Sequence, residues 1–146
     1  MTTTSLDRQV ETRLSGQGVR YTKGRRAVVA ALSHADGPKS AAELHDDLGD
    51  GVPLSSLYRS LTVLEESGVV ALHHGTKGLT RYEIAEWIAG HHHHLVCTEC
   101  GLVEDVEISA DDEIRLRSVI DQVSTAASFS PSDHSLEIEG RCMRCA

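Results

Sequence analysis

The sequence predicts an α+β fold in two parts: a helical N-terminal part ending in a β-hairpin, and a C-terminal α/β part of short strands around one helix. Three observations carry that prediction. Apolar residues recur at helical spacing between residues 6 and 67, and again over 110–127, with strand-like runs between and after. Glycine and proline stand at Gly16, Gly37-Pro38, Gly49, Pro53 and Gly68, where helices would stop or start. The only four cysteines form two Cys-x-x-Cys pairs, both in the C-terminal part.

Residues 6–16 read as a short polar-rich helix ended by Gly16. Thr22 is placed to cap a helix over 24–34, with Val28, Val29, Ala31 and Leu32 apolar and Gly37-Pro38 as its stop. Ser40 caps the next helix and Glu43 lies three residues on, a capping box in which each side chain satisfies the other residue's free backbone N–H. Gly49 ends that helix, and Pro53 opens another that runs to Ser67 and is closed by Gly68. Leu54, Leu57, Leu61 and Leu64 give it an apolar stripe, while Ser55, Ser56, Arg59, Ser60 and Thr62 lie off the stripe and face solvent or a partner. The runs VVALHH and TRYEI, separated by residues 75–78, read as a hairpin. Three helices, the last two a helix-turn-helix, and then a hairpin is the order of a winged helix. Residues 53–67 become its recognition helix, with their N-terminal end toward base edges. A helical packing module that never meets DNA fits the same pattern.

In the second part HLVC, VEDVEI and HSLEIEG are strand-like, and the helix over 110–127 uses Ile114, Leu116, Val119, Ile120, Val123 and Ala127. This β-β-α-β unit leaves sheet edges open, which invites a second chain. The expected division is a winged-helix domain over 1–84 and a dimerisation and metal-binding domain over 85–146. With aromatics at only 3%, the cores must be aliphatic, and units this small are marginal unless a metal or a dimer interface helps.

The net charge of −8 is unevenly placed. Residues 1–84 carry 10 basic and 10 acidic residues, whereas 85–146 carry 4 and 12. A local patch, here Arg20, Lys23, Arg25 and Arg26, rather than the total, decides whether phosphates are met. No run of 18 apolar residues exists, so no membrane span is expected. The N-terminal residues lack the basic start and apolar run of a secretory signal, which makes the cytoplasm, with reduced thiols, the expected compartment.

In that compartment Cys97-x-x-Cys100 and Cys142-x-x-Cys145 read as a tetrahedral Zn²⁺ site rather than as disulfides. Four sulfurs leave no open position, so the site is structural, with Gly101 and Gly140 easing the two turns. Redox chemistry would need only one such pair. The run His91–His94 precedes Cys97, and on a strand His92 and His94 share one face while His91 and His93 share the other. One run can thus give two imidazoles to each of two sites, with His134, Glu83, Asp105, Asp112 and Glu113 as candidate partners. Such mixed sets suit Zn²⁺, Fe²⁺, Mn²⁺ or Ni²⁺. The alternative reading is a solvated polar stretch, which four adjacent histidines beside a zinc knuckle disfavour. No HExxH, GxSxG, P-loop or zinc-deaminase pattern occurs, so neither an enzyme nor a small-molecule substrate is expected.

These residues resemble the ferric uptake regulator (Fur) family: residues 18–25, Ser40–Leu44, Leu57–Leu61, Gly68-Val69, Tyr82-Glu83, HHHHLVCTECG over 91–101 and HSLEIEGRC over 134–142. The resemblance implies a dimeric winged-helix repressor that binds a palindromic, AT-rich operator when its sensory metal is loaded. It implies that Tyr58 reads bases and Arg59 meets phosphate, joined by Arg20, Lys23 and Arg25, with Ser55 and Ser56 on the same helix face. It implies a sensory site of Glu83, His92, His94 and Asp105 for Zn²⁺ or Fe²⁺, with Mn²⁺ or Ni²⁺ as further options. It implies a second site of His91, His93 and His134 with an acid at Asp112 or Glu113, of which Asp112 is taken as the ligand. The cysteines match the structural zinc. Pro38 stands where many members carry a histidine, and Ala85 and Trp87 stand where zinc sensors carry a cysteine, so His73 or His74 is a substitute ligand. Two rivals accompany this expectation: a peroxide-sensing repressor of the same fold, and a zinc-dependent protein–protein adaptor.

Overall fold

A computed structural model of the chain describes residues 3–75 and 77–146. Four helices come first: α1 (Thr3–Gly16), α2 (Lys23–Ser33), α3 (Ala41–Leu48) and α4 (Leu54–Glu66). A two-residue strand β1 (Lys39–Ser40) precedes α3, and β2 (Val70–His74) and β3 (Thr80–Ile84) follow α4 as an antiparallel hairpin. A four-residue helix α5 (Glu86–Ala89) leads to β4 (His93–Cys97), β5 (Val103–Val106), α6 (Ala110–Ala126) and β6 (Glu137–Gly140). Among the described residues no helix is long and apolar enough to cross a membrane.

The helix starts follow the capping chemistry. Thr22 accepts from the Arg25 N–H, and Ser40 and Glu43 close the full reciprocal box. The Glu43 carboxylate also accepts from Arg81 at 2.8 Å, and Arg81, almost fully buried, donates to the Pro38 carbonyl. This pairing ties the wing to the start of α3 and explains why β1 joins the sheet, in the order β1-β3-β2, with Ser40 opposite Arg81.

Leu6, Val10 and Leu14 put one face of α1 into the core against α2, α3 and α4, so α1 is a core element despite its polar composition. Leu57, Leu61 and Leu64 are buried as the stripe predicts, but Leu54 is 45% exposed because the first turn of α4 projects past the core. Each buried Leu or Val contributes about 1.5–3 kcal/mol of transfer free energy. Ile88 of α5 belongs to this core, and the Trp87 indole N–H donates to the Gly68 carbonyl at 2.6 Å under the Arg13 guanidinium. The α5 segment, expected in the second half, therefore packs with the first, and the next residue, Gly90, has φ +91°, a backbone that favours glycine.

The second sheet has the order β5-β4-β6. β5 runs antiparallel to β4, with Asp105 opposite His94, and β6 runs parallel to it, with Glu137 opposite His94. Gly140 sits in β6 with no positive φ, so it is not the flexible knuckle expected; Gly101, at φ +77°, is. α6 buries only Ser124, leaving Ile114, Val119 and Val123 more than half exposed. The two lobes meet where the α2–β1 loop touches β5: Asp105 N–H donates to the Asp36 carbonyl at 2.9 Å.

Candidate metal centres and nucleic-acid face

The four cysteines converge from two hairpin-like turns, and their sulfurs lie within 4.8 Å of one another. Cys100 Sγ and Cys142 Sγ are 3.8 Å apart. Zn–S bonds of about 2.3 Å at tetrahedral angles require S···S edges of about 3.8 Å, so the thiols fit that ion. The first turn is closed by Gly101 N–H on the Cys97 carbonyl and the second by Cys145 N–H on the Cys142 carbonyl. Backbone N–H groups of Cys100 and Cys142 lower the Cys97 thiol to about 6. The neighbouring Cys142 sulfur pushes Cys145 up to about 12. Four thiols this close cannot all ionise without a cation among them.

A second cluster lies between the lobes. Glu83, at the end of β3, meets His92 and His94, whose Nε2 atoms lie 3.0 and 3.1 Å from one carboxylate oxygen. Asp105 Oδ1 is 3.4 Å from both imidazoles. Bonds of about 2.0–2.1 Å at tetrahedral angles need edges of about 3.3–3.4 Å, so two nitrogens and two oxygens are set for one small divalent ion. Burial pushes the Glu83 carboxyl up, but hydrogen bonds from His94 and His92 outweigh it and hold it below the usual range. Burial likewise pushes His92 down and is outweighed by its bond to Glu83. His94 is raised to about 9, first by Asp105 and then by Glu83.

A third cluster lies on the other face of β4. His134 Nε2 and His91 Nε2 stand 2.7 and 3.2 Å from Glu113 Oε1, and His93 Nε2 stands 2.8 Å from Glu113 Oε2. The acid in this cluster is Glu113, not Asp112. Asp112 sits in the first turn of α6, where it takes the Ser109 hydroxyl and Arg115 and stays mostly exposed. Glu113, about 100° further round the helix and one methylene longer, turns onto the sheet. His91 also turns its Nδ1 toward Glu86 of α5 at 3.3 Å.

Of the histidines on the wing, His73 is buried against Glu137 at 2.6 Å, whereas His74 is exposed on the opposite face of β2. Neither joins the Glu83 cluster as described. Pro38 and Ala85 contribute no donor atom, and Trp87 anchors α5. Glu86 and Glu137 carry no signal in the sequence, because α5 is too short to show a period and the parallel pairing of β6 is set by contacts some 40 residues apart.

Tyr58, half-exposed, and the exposed Ser55 and Arg59 line the outer face of α4 beside the partly exposed Ser56. Arg20 and Lys23 are exposed, while Arg25 is partly buried and donates to the Arg20 carbonyl, bracing the loop before α2. Arg26 is occupied by Glu11, Asp7 and the Tyr21 ring, so it drops out of the basic patch.

The family model for the ferric uptake regulator family matches residues 16–139. A zinc uptake regulation protein of Mycobacterium tuberculosis is 36% identical over 135 residues, covering 90% of this chain and 98% of its own length. A ferric uptake regulation protein of Bacillus subtilis is 32% identical over 145 residues, covering 96% and 93%. Among solved structures, the ferric uptake regulator of Helicobacter pylori superposes with a TM-score of 0.77 at 24% identity, over 99% of this chain and 94% of that one, a likeness of fold.

Proposed function

Because this chain belongs to the ferric uptake regulator family, and is therefore a metal-responsive regulator rather than an enzyme, we propose that it is a homodimeric repressor of metal-homeostasis genes. Its operator is a palindromic, AT-rich duplex, bound when the Glu83–His92–His94–Asp105 site is loaded. The observation that carries this reading is the meeting of Glu83, from the winged lobe, with three donors of the second lobe around one small volume. The four-donor set, with tetrahedral spacing, favours Zn²⁺ as the sensed ion. The cysteine site holds Zn²⁺ as a structural staple, and His91, His93, Glu113 and His134 form the second site.

The division of labour follows from the packing. The winged domain extends through α5 to Ala89, and Gly90 is the joint. A bound cation supplies the charge that lets two carboxylates and two neutral imidazoles converge across that joint. Glu83 holds the wing, His92 and His94 hold β4, and Asp105 is itself tied by its backbone to the loop after α2. With these donors engaged, the two recognition helices of a dimer keep one spacing, as half-sites one or more helical turns apart demand. With them free, DNA affinity falls by the fraction of molecules in the right orientation.

The test is a metal-titrated DNA-binding curve with Zn²⁺ and Fe²⁺, for the wild type and for the double variant His92→Ala/His94→Ala. The wild type should bind a palindromic duplex only above a threshold of Zn²⁺, and the variant should stay at the non-specific level. A variant that binds as well as wild type at every metal concentration removes this reading, and a chain that binds no duplex at all favours a protein–protein adaptor.

A further inference from the structure

His94 lies in the middle of a row that crosses the second sheet, with Asp105 opposite it on β5 and Glu137 opposite it on β6. The winged lobe presents Glu83 on β3 to the Asp105 side. On the Glu137 side it presents His73 from β2, two residues on from Ala71, the pairing partner of Glu83. The junction therefore has two halves that share one imidazole. Only the Glu83 half is used by the function proposed above.

The second half is built like a ligand site rather than a surface contact. His73 is 7% exposed, its Nε2 stands 2.6 Å from Glu137 Oε1, and its ring meets the His94 ring edge-on at 4.7 Å. Its Nδ1 is buried and has no hydrogen-bond partner among the described residues, leaving a polar atom in a dry interior. One ligand atom from each of His73, His94 and Glu137 lies within 4.8 Å of the other two. A contact of 2.6 Å is what an imidazole and a carboxylate make with a proton between them; a cation replaces that proton and moves the donors apart to the edge of about 3.3–3.4 Å that bonds of about 2.0–2.1 Å at tetrahedral angles require.

We propose that His73, His94 and Glu137 form a second seat for a divalent transition-metal ion between the lobes, alternative to the Glu83 seat because both draw on His94. The donor set, two imidazoles and one carboxylate with one side open through the half-exposed Glu137, is of the kind that takes Zn²⁺, Fe²⁺ or Co²⁺ and leaves a position for water. Its consequence is a junction that stays bridged when the ion leaves Glu83: the bridge then runs from β2 to β6 instead of from β3 to β5. The inference rests on the closed junction, not on DNA binding.

The probe is Co²⁺, counted by equilibrium dialysis on the full chain and followed by its visible d–d bands, which separate thiolate from imidazole–carboxylate sites. In the isosteric background Glu83→Gln/Asp105→Asn, the first seat loses both carboxylates while His94 remains. Three Co²⁺ per chain should still bind, with the junction site weakened by no more than about thirtyfold, roughly 2 kcal/mol. Adding Glu137→Gln should then lower the count to two. Glu137 is partly exposed, so this change does not threaten folding; His73→Ala in the same background gives the second reading of the same loss. A background that already binds only two ions overturns the proposal, as does one that keeps its third ion after Glu137→Gln and after His73→Ala. Metal-dependent binding of DNA by the wild type is scored separately, so that its failure would strike the proposed function and not this seat.

Discussion

His94 sets the direction in which metal binding at the junction depends on pH. Asp105 and Glu83 raise its imidazolium to about 9, so in the metal-free chain it carries a proton at neutral pH. Being raised, that protonation stabilises the metal-free fold below the ordinary histidine pKa of about 6.5, and its contribution is lost as pH rises through about 9. Metal binding runs the other way, because the ion must displace the proton. The apparent Zn²⁺ affinity of the junction should therefore rise as pH increases toward about 9, by up to tenfold per pH unit for each ligand imidazole still protonated, and level off above. A chelator competition across that range checks it; a flat profile in the wild type contradicts the assignment of His94 as a ligand. The cysteines give a second expectation. Cys100→Ser should leave a three-sulfur site, weaken the structural ion by orders of magnitude, and melt the strand pairing of β4 with β6, read as early hydrogen exchange at Val96 and Glu139. Exchange unchanged from wild type would mean the staple is dispensable.

At this same scale the cysteine pairs and the histidine run were legible because their ligands are near neighbours in sequence, and strand alternation alone sorts His91 and His93 from His92 and His94. Choosing Glu113 over Asp112 was not legible. It depends on which residue of the first turn of α6 is taken up by the Ser109 cap, a matter of one residue of helix phase.

Between elements, Gly37 in the loop from α2 to β1 is the glycine that leaves least room for a side chain. A Cβ built there would lie 2.3 Å from the Val103 carbonyl oxygen and 3.0 Å from Glu104 Cα, both backbone atoms that cannot swing aside. The neighbouring peptide accepts from Asp105 N–H, so the loop docks on the strand that carries a ligand. Gly37→Ala should push β5 from the loop, destabilise the closed arrangement by about 1–3 kcal/mol, and weaken the junction site about 10- to 100-fold. The cysteine site, whose two turns are closed by their own backbone hydrogen bonds, should keep its ion. Isothermal titration of Zn²⁺ into the variant reads both at once, and an unchanged junction affinity would show that this contact has no part in ligation. The sequence marked Gly37 only as a helix stop. Its role in lobe docking, like the β1 strand and the α5 anchor through Trp87 and Ile88, depends on contacts between distant segments, which local periodicity does not record. The four N-terminal helices and the hairpin were legible because caps, stripes and glycine stops are local signals.

Over the whole molecule the two lobes differ in how completely they satisfy themselves. The winged lobe closes a core in which Leu14, Leu44, Leu57, Leu61 and Leu64 are fully buried. The second lobe does not: α6 leaves Ile114, Val119 and Val123 at 54–65% exposure, Phe129 is at 67%, and Ile138 on the open β6 edge is at 51%. Exposed apolar side chains beside an unpaired strand are what a second copy of the chain would cover. The excess acid of this lobe, 12 acidic against 4 basic residues, makes it a poor partner for phosphates. A dimer whose interface is this face should come apart in the double variant Val119→Glu/Val123→Glu, because two buried carboxylates per copy would be left without partners. Sedimentation velocity should then show a monomer at micromolar concentration. Under the proposed function, operator affinity should fall at least 100-fold, since each monomer would read a single half-site, while the Cys97 and Glu83 clusters, which draw every ligand from one chain, should keep their Zn²⁺. A variant that still sediments as a dimer would move the interface elsewhere, and one that loses its zinc along with its partner would mean that the second lobe cannot fold alone.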